Sequence, residues 1–256
     1  MLSGVNTGKG FVMLRSIAVG LLSIGMLSPS PALAQEGLVQ WHSENLQLLR
    51  GTDYELGDRE RTIITFEHAN RWAYGDVFLF TDFTFGDDGQ TAVYGEITPR
   101  LSLARVTGRD PGQGFIRDVL LAGNYERGEQ GLQRYLAGVA VDLNVEGFRF
   151  LRTHAYYRDD PARPGSTWQA TIVWNRPIEL VGQSFLTEGF ADIAGAEGNG
   201  VANQLYVPRL LWDAGAVYNR PGRVFLGVEW QYWNNKFGVD GVTENVAQLQ
   251  LKWVLN

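Results

Sequence analysis

An apolar–polar alternation of period two, repeated along most of the chain, constrains what it can fold into more than any other feature. In 244–255, Ala247, Leu249, Leu251 and Trp253 alternate with Gln248, Gln250 and Lys252. In 223–233, Val224, Leu226, Val228, Trp230 and Tyr232 alternate with Gly227, Glu229 and Gln231. Trp168, Ala170, Ile172 and Trp174 alternate with Gln169, Thr171 and Asn175, and Tyr135, Ala137, Val139, Val141 and Leu143 with Arg134, Gly138 and Asp142. Successive side chains of a strand point to opposite faces, so each segment reads as a strand with one apolar and one polar face. Twelve strands are predicted, near 44–56, 60–71, 74–85, 91–105, 115–126, 132–143, 147–158, 166–177, 181–193, 203–213, 223–233 and 244–255.

The connections carry a second regularity. Gly86-Asp87-Asp88-Gly89, Arg127-Gly128-Glu129-Gln130-Gly131, 194–203 and 234–241 are polar and glycine-rich, and they follow odd-numbered strands. Short turns such as Asn144-Val145-Glu146 and Glu179-Leu180 follow even ones. An even strand count with long loops at one end and short turns at the other is the pattern of a bacterial transmembrane barrel, whose short turns face the periplasm. Thr107 to Gly114 is long for such a turn, and Pro208 predicts a bend or bulge in the tenth strand.

The N-terminus points to export. Arg15 is followed by an apolar run from Ile17 to Leu27 and by Pro31-Ala32-Leu33-Ala34. That order is a signal peptide with cleavage before Gln35, and Met13 starts a complete signal sequence by itself. The expected domains are therefore a signal peptide, 1–34, and a barrel, 35–256. The mature chain has 256 − 34 = 222 residues, and without Lys9 and Arg15 its net charge is 20 − 28 = −8. An acidic chain without basic clusters is a poor nucleic-acid partner. Cysteine is absent, which excludes thiolate metal sites, and a closed ladder needs no disulfide to protect its edges. No apolar run after residue 34 reaches the length of a membrane helix, about 20 residues, so a membrane location requires a barrel.

Soluble sandwiches also alternate, and two features separate this chain from them. The apolar stripes carry Trp168, Trp174, Trp230, Tyr232 and Trp253, which suit bilayer interfaces. The opposite stripes carry Glu, Asp, Arg and Asn too often for a dry core. The expected fold is an all-β, twelve-stranded antiparallel transmembrane barrel in the outer membrane, with lipid outside and a wet lumen. Its expected partners are outer-membrane lipids, the barrel-insertion machinery and small polar solutes, and it is expected to be monomeric with no cofactor and no metal.

Three blocks of sequence resemble a known family. They are Phe66-Glu67-His68-Ala69-Asn70-Arg71-Trp72-Ala73-Tyr74-Gly75-Asp76-Val77-Phe78, then Tyr94-Gly95-Glu96-Ile97-Thr98-Pro99-Arg100-Leu101-Ser102-Leu103, then Arg117-Asp118-Val119-Leu120-Leu121-Ala122-Gly123-Asn124-Tyr125. With the strand around Asp142 and Gly189-Phe190, they are similar to the Tsx family of nucleoside-specific channels. The resemblance implies a monomeric twelve-stranded barrel that binds nucleosides weakly and passes them by diffusion. This chain departs from the family at Thr98, where an acid is usual, and at its last residues, Val254-Leu255-Asn256, where an aromatic is usual.

Parity assigns the lumenal side chains. With Val93, Ile97, Leu101 and Leu103 toward lipid, Tyr94, Glu96, Arg100 and Ser102 face inward, as do Asp118, Asn124 and Glu126 on the next strand. Asp76, Phe78, Phe80 and Asp82 share a face, so two aromatics sit between two carboxylates. Aromatic faces stack on a flat base at about 1–3 kcal/mol each, and carboxylate, guanidinium and amide groups bond to sugar hydroxyls. The expected solute site comprises Phe78, Phe80 and Tyr94 as stackers with Asp82, Glu96, Arg100, Asn124 and Asp142 as polar contacts, and Glu96 is positioned to pair with Arg100. A general small porin without nucleoside preference is the alternative within this fold. A lipid-modifying barrel enzyme is the alternative from another class, suggested by His42-Ser43-Glu44-Asn45. Adjacent strand residues point to opposite faces, so His42 and Ser43 do not meet easily, and the expectation is no catalytic residues.

Overall fold

The computed structural model describes residues 39–256, and the expected signal peptide lies outside them. Twelve antiparallel strands follow one another: β1 (Val39–Thr52), β2 (Glu60–Trp72), β3 (Gly75–Gly86), β4 (Thr91–Ser102), β5 (Ile116–Arg127), β6 (Gln133–Leu143), β7 (Phe150–Asp159), β8 (Thr167–Leu180), β9 (Gln183–Ala194), β10 (Asn203–Asp213), β11 (Val224–Asn234) and β12 (Glu244–Val254). Each pairs with its sequence neighbours, and β1 pairs with β12 from Asn45↔Val254 to Gly51↔Gln248, closing the barrel. Closure leaves no unpaired edge, as hydrocarbon requires.

The burial pattern inverts that of a soluble protein. On β12 the amides and the ammonium of Gln248, Gln250 and Lys252 are buried, while Leu249, Leu251 and Trp253 are exposed. Exposed Trp41, Tyr74, Tyr218 and Trp253 ring the end that carries the chain termini. Exposed Tyr135, Tyr157, Trp168, Tyr206 and Trp230 ring the other end. Two aromatic girdles around an apolar band mark a bilayer-spanning wall, with the terminus end periplasmic. Apolar packing inside the barrel is confined to small clusters, Leu120, Ala122, Leu136, Ala140 and Tyr156 on one side and Leu186, Leu211 and Phe225 on the other.

Local chemistry explains where strands stop or skip. β4 ends at Ser102, earlier than the period-two pattern implied, because its side chain accepts from the Arg105 backbone amide (3.1 Å) and caps the short helix α1 (Leu103–Val106). This turn, the long one anticipated at Thr107–Gly114, spans 103–115, and 214–223 is a second long one on the same side. Pro208 interrupts the ladder on one side only and forms no register-shifting bulge. The β10–β11 register runs to Tyr206↔Tyr232 and resumes unshifted at Arg209↔Glu229, while Pro208 still pairs with Gly189 on β9. The β4–β5 register skips Pro99 in the same way, between Ile97↔Tyr125 and Arg100↔Ala122.

Candidate functional site: the barrel lumen

The inward stripes meet across the barrel. One hydrogen-bonded row runs from Asn45 on β1 through Glu67, Phe80, Glu96 and Glu126 to Arg134 on β6. A second brings His154, Thr171 and Asp192 side by side on β7, β8 and β9. In the ring of twelve, β9 stands five strands from β4 and four from β5, so Asp192 looks toward Glu96 and Glu126 across the lumen. The alternation predicted at Tyr94, Glu96 and Arg100 holds, since their outward neighbours Val93 and Ile97 are exposed.

The eight predicted site residues fall into three groups. Phe78 and Phe80 have ring centroids 6.2 Å apart, and Tyr94 lies 5.9 Å from Phe80, giving a continuous aromatic strip. Tyr94 donates to Glu96 (2.6 Å) and lies 3.2 Å from Glu126, while Asn124 donates to Glu96 (2.8 Å) and accepts from Thr98 (2.9 Å). Asp82 accepts from Thr65 (2.6 Å) beside this strip. Arg100 and Asp142 stand apart from it, nearer the terminus end. The anticipated Glu96–Arg100 pair does not form. Arg100 instead bonds Asp76 at 2.7 and 2.8 Å and Asp142 at 2.6 Å, since Asp76 is its register partner on β3 and the long guanidinium side chain reaches past β5 to Asp142 on β6. Its donors are largely used by the protein.

Sequence reading missed a second ionic group, built on strands distant in the ring. Arg209 on β10 pairs with Glu229 (2.6 Å) and reaches Glu67 on β2 (3.2 Å) and Glu188 (3.6 Å). Lys252 on β12 pairs with Glu188 on β9 (2.6 Å). Parity could have flagged these as inward residues, but which of them meet depends on strand stagger. Asp192 was missed for the same reason, and its partner is the neutral Thr171 hydroxyl (2.5 Å). Glu96, Asp82 and Asp192 therefore have only neutral hydrogen-bond partners, unlike the acids held by Arg100 or Arg209. Among buried charged side chains nine are acids and five are Lys or Arg, leaving the lumen with a negative excess.

A buried ion pair ties the loop after β11 to the start of β12. Lys236 turns inward to Glu244 (2.5 Å) under the Trp233 and Phe237 rings, and burial pushes its ammonium below the usual lysine range. At the terminus end, His42 Nδ1 lies 3.0 Å from Glu44, while Ser43 has the opposite parity, so the two do not form a nucleophile–base pair.

A closed barrel with an apolar band, two aromatic girdles and a charged interior leaves one class of architecture. The chain is a twelve-stranded outer-membrane β-barrel. No protein-family model and no curated protein sequence matches it. Among solved structures it is similar to the KdgM porin, with a TM-score of 0.50 and 8% identity over 83% of this chain and 99% of that one. The same porin in complex with disordered oligogalacturonate gives the same values. The outer membrane protein Omp33 of Acinetobacter baumannii aligns at a TM-score of 0.39 and 10% identity, covering 86% of this chain and 100% of that one.

Proposed function

We propose that this protein is a passive outer-membrane channel for small polar solutes that carry a flat ring, nucleosides being the expected class. The observation that carries the reading is the aromatic strip Phe78–Phe80–Tyr94 inside a wet barrel, edged by Asp82 and Glu96. A base slides along such a strip by exchanging one ring for the next, while sugar hydroxyls exchange among carboxylates. Several weak contacts favour throughput, since a solute must leave as readily as it enters. The negative excess supports a neutral or cationic solute. It argues against acidic oligosaccharides, the ligand class of the oligogalacturonate-bound porin.

The general-porin reading keeps one observation in its favour. Arg100 and Asn124 spend their hydrogen-bonding groups on protein partners and so serve the cross-section of the barrel. Planar-bilayer recording separates the readings. Sub-millimolar nucleoside is expected to block the current, and Phe80→Ala to weaken that block about tenfold, the loss of ~1.4 kcal/mol of stacking. Current indifferent to nucleoside leaves the general porin, and block unaffected by Phe80→Ala removes the aromatic strip from the site.

A further inference from the structure

We propose that a pocket at the periplasmic rim, beside the end of β12, holds one phospholipid of the periplasmic leaflet with an anionic, phosphoglycerol-type headgroup. Its phosphate sits at Arg220 and Arg223, and its acyl chains run up the wall past Trp253. The pocket measures about 460 Å³. Besides the two arginines its lining is apolar and aromatic, with Tyr218, Val224, Trp253 and Leu255 among the residues that form it. Val224 and Trp253 are register partners, and they belong to the lipid-facing stripes that continue through exposed Leu226, Val228 and Leu251. The pocket therefore opens where the apolar wall meets the headgroups.

The turn before β11 holds the two guanidinium groups together. In Arg220-Pro221-Gly222-Arg223 the Arg223 amide donates to the Arg220 carbonyl (3.3 Å), and Gly222 takes a φ of 77°. Proline then glycine at the two central positions is the pattern of a type II turn, which brings its end residues within about 7 Å. Asp213 fixes this turn, its carboxylate accepting from the Ala216 (3.2 Å) and Gly222 (2.7 Å) amides. Both arginines are exposed, and neither has an ion-pair partner among the described residues. Like charges held this close repel, and a shared anion relieves them.

The charge around the pocket selects the headgroup. The terminus-end turns 73–74, 103–115, 144–149, 181–182 and 214–223 hold five arginines, Arg105, Arg109, Arg149, Arg220 and Arg223, against two acids, Asp110 and Glu146. The outer loops are the reverse, with Arg59, Arg163 and Lys236 among nine acids. Tyr218 and Trp253 belong to the periplasmic girdle, so phospholipid phosphates lie at the height of the pocket. Two guanidinium groups hold a phosphodiester through charge-assisted bonds to its free oxygens, and basic pockets at a membrane surface take anionic headgroups in this way. The lining contains no carboxylate. An ethanolamine headgroup would set its ammonium beside two cations with no acceptor for it, and a phosphoglycerol headgroup brings no such charge.

Native mass spectrometry of the whole detergent-extracted barrel, titrated with phosphatidylglycerol or phosphatidylethanolamine, tests this. The expected result is one retained phosphatidylglycerol, held several-fold more tightly than phosphatidylethanolamine and not displaced by millimolar glycerol phosphate. Arg220→Gln combined with Arg223→Gln should weaken retention several-fold and remove the preference. Arg105→Gln combined with Arg109→Gln takes the same charge from another turn and should change neither. A heat-dependent gel shift confirms that each variant is a closed barrel. No retained lipid, equal retention of the two headgroups, displacement by glycerol phosphate, or an equal loss when Arg105 and Arg109 are replaced overturns the proposal.

Discussion

Arg209 shows what a single side chain does in a wet interior. It lies within 3.6 Å of Glu67, Glu188 and Glu229, with Lys252 as the other cation of the group. Arg209→Ala leaves three carboxylates around one ammonium. Removing one partner of a buried ionic group costs about 3–5 kcal/mol, and water in the lumen places the expected loss near the lower figure. Urea unfolding in lipid vesicles measures it, and an unchanged midpoint would mean that water replaces the guanidinium. Asp58, in the loop 53–59, is a second case. Its carboxyl occupies the place of a Cβ on Gly86, and a hydrogen bond with Asp88 holds it above the usual carboxylate range, aided by burial and by the Asp88 charge. The same contact holds Asp88 low, so the two carboxyls shift in opposite directions. A raised folded pKa stabilises below the ordinary carboxylate range, and that stability is lost as pH rises through the folded value. Amides of 53–59 and 87–90 should therefore exchange more slowly near pH 4 than at pH 7 in the wild type. Asp58→Asn should remove that difference beyond the intrinsic pH dependence of exchange.

At the scale of elements, three outer loops behave as one latch. Arg163 in 160–166 donates to the Phe237 carbonyl (2.9 Å), and Val201 in 195–202 donates to the Gly238 carbonyl (2.9 Å). Glu197 accepts from the Asp160 amide (2.9 Å) and sits 3.6 Å from Arg158. A Cβ on Gly200 would lie 2.8 Å from the Arg163 guanidinium and 3.1 Å from the Gly238 carbonyl oxygen, so a side chain there would displace Arg163. Asn235 and Phe237 have φ of 49° and 56°, a left-handed backbone that non-glycine residues hold only when their surroundings impose it. Arg163→Ala is expected to release 235–243, raising single-channel conductance and protease nicking there. Barrel thermal stability should stay unchanged, because the strands do not depend on the latch. Equal conductance in the variant would show that the loops stand clear of the solute path.

For the whole molecule, charge decides what enters. With acids outnumbering bases among buried residues, and Asp82, Glu96 and Asp192 paired only to neutral groups, the lumen should favour cations. The reversal potential in a KCl gradient should indicate K⁺ permeability above Cl⁻, and Asp192→Asn should reduce the ratio. Anion preference would contradict the charge distribution. How much of this was legible beforehand follows from the range of each interaction. The alternation in 223–233 and 244–255 determined strand number, fold class and which side chains point inward, because facing repeats every two residues and is local in the chain. Phe78, Phe80 and Tyr94 were legible as neighbours because adjacent strands β3 and β4 carry them. The partners of Arg100, the Arg209–Glu67 contact between β10 and β2 and the loop latch were not. Parity gives a residue's face but not its height. Height follows from the register and stagger that closure of β1 on β12 imposes on all twelve strands together.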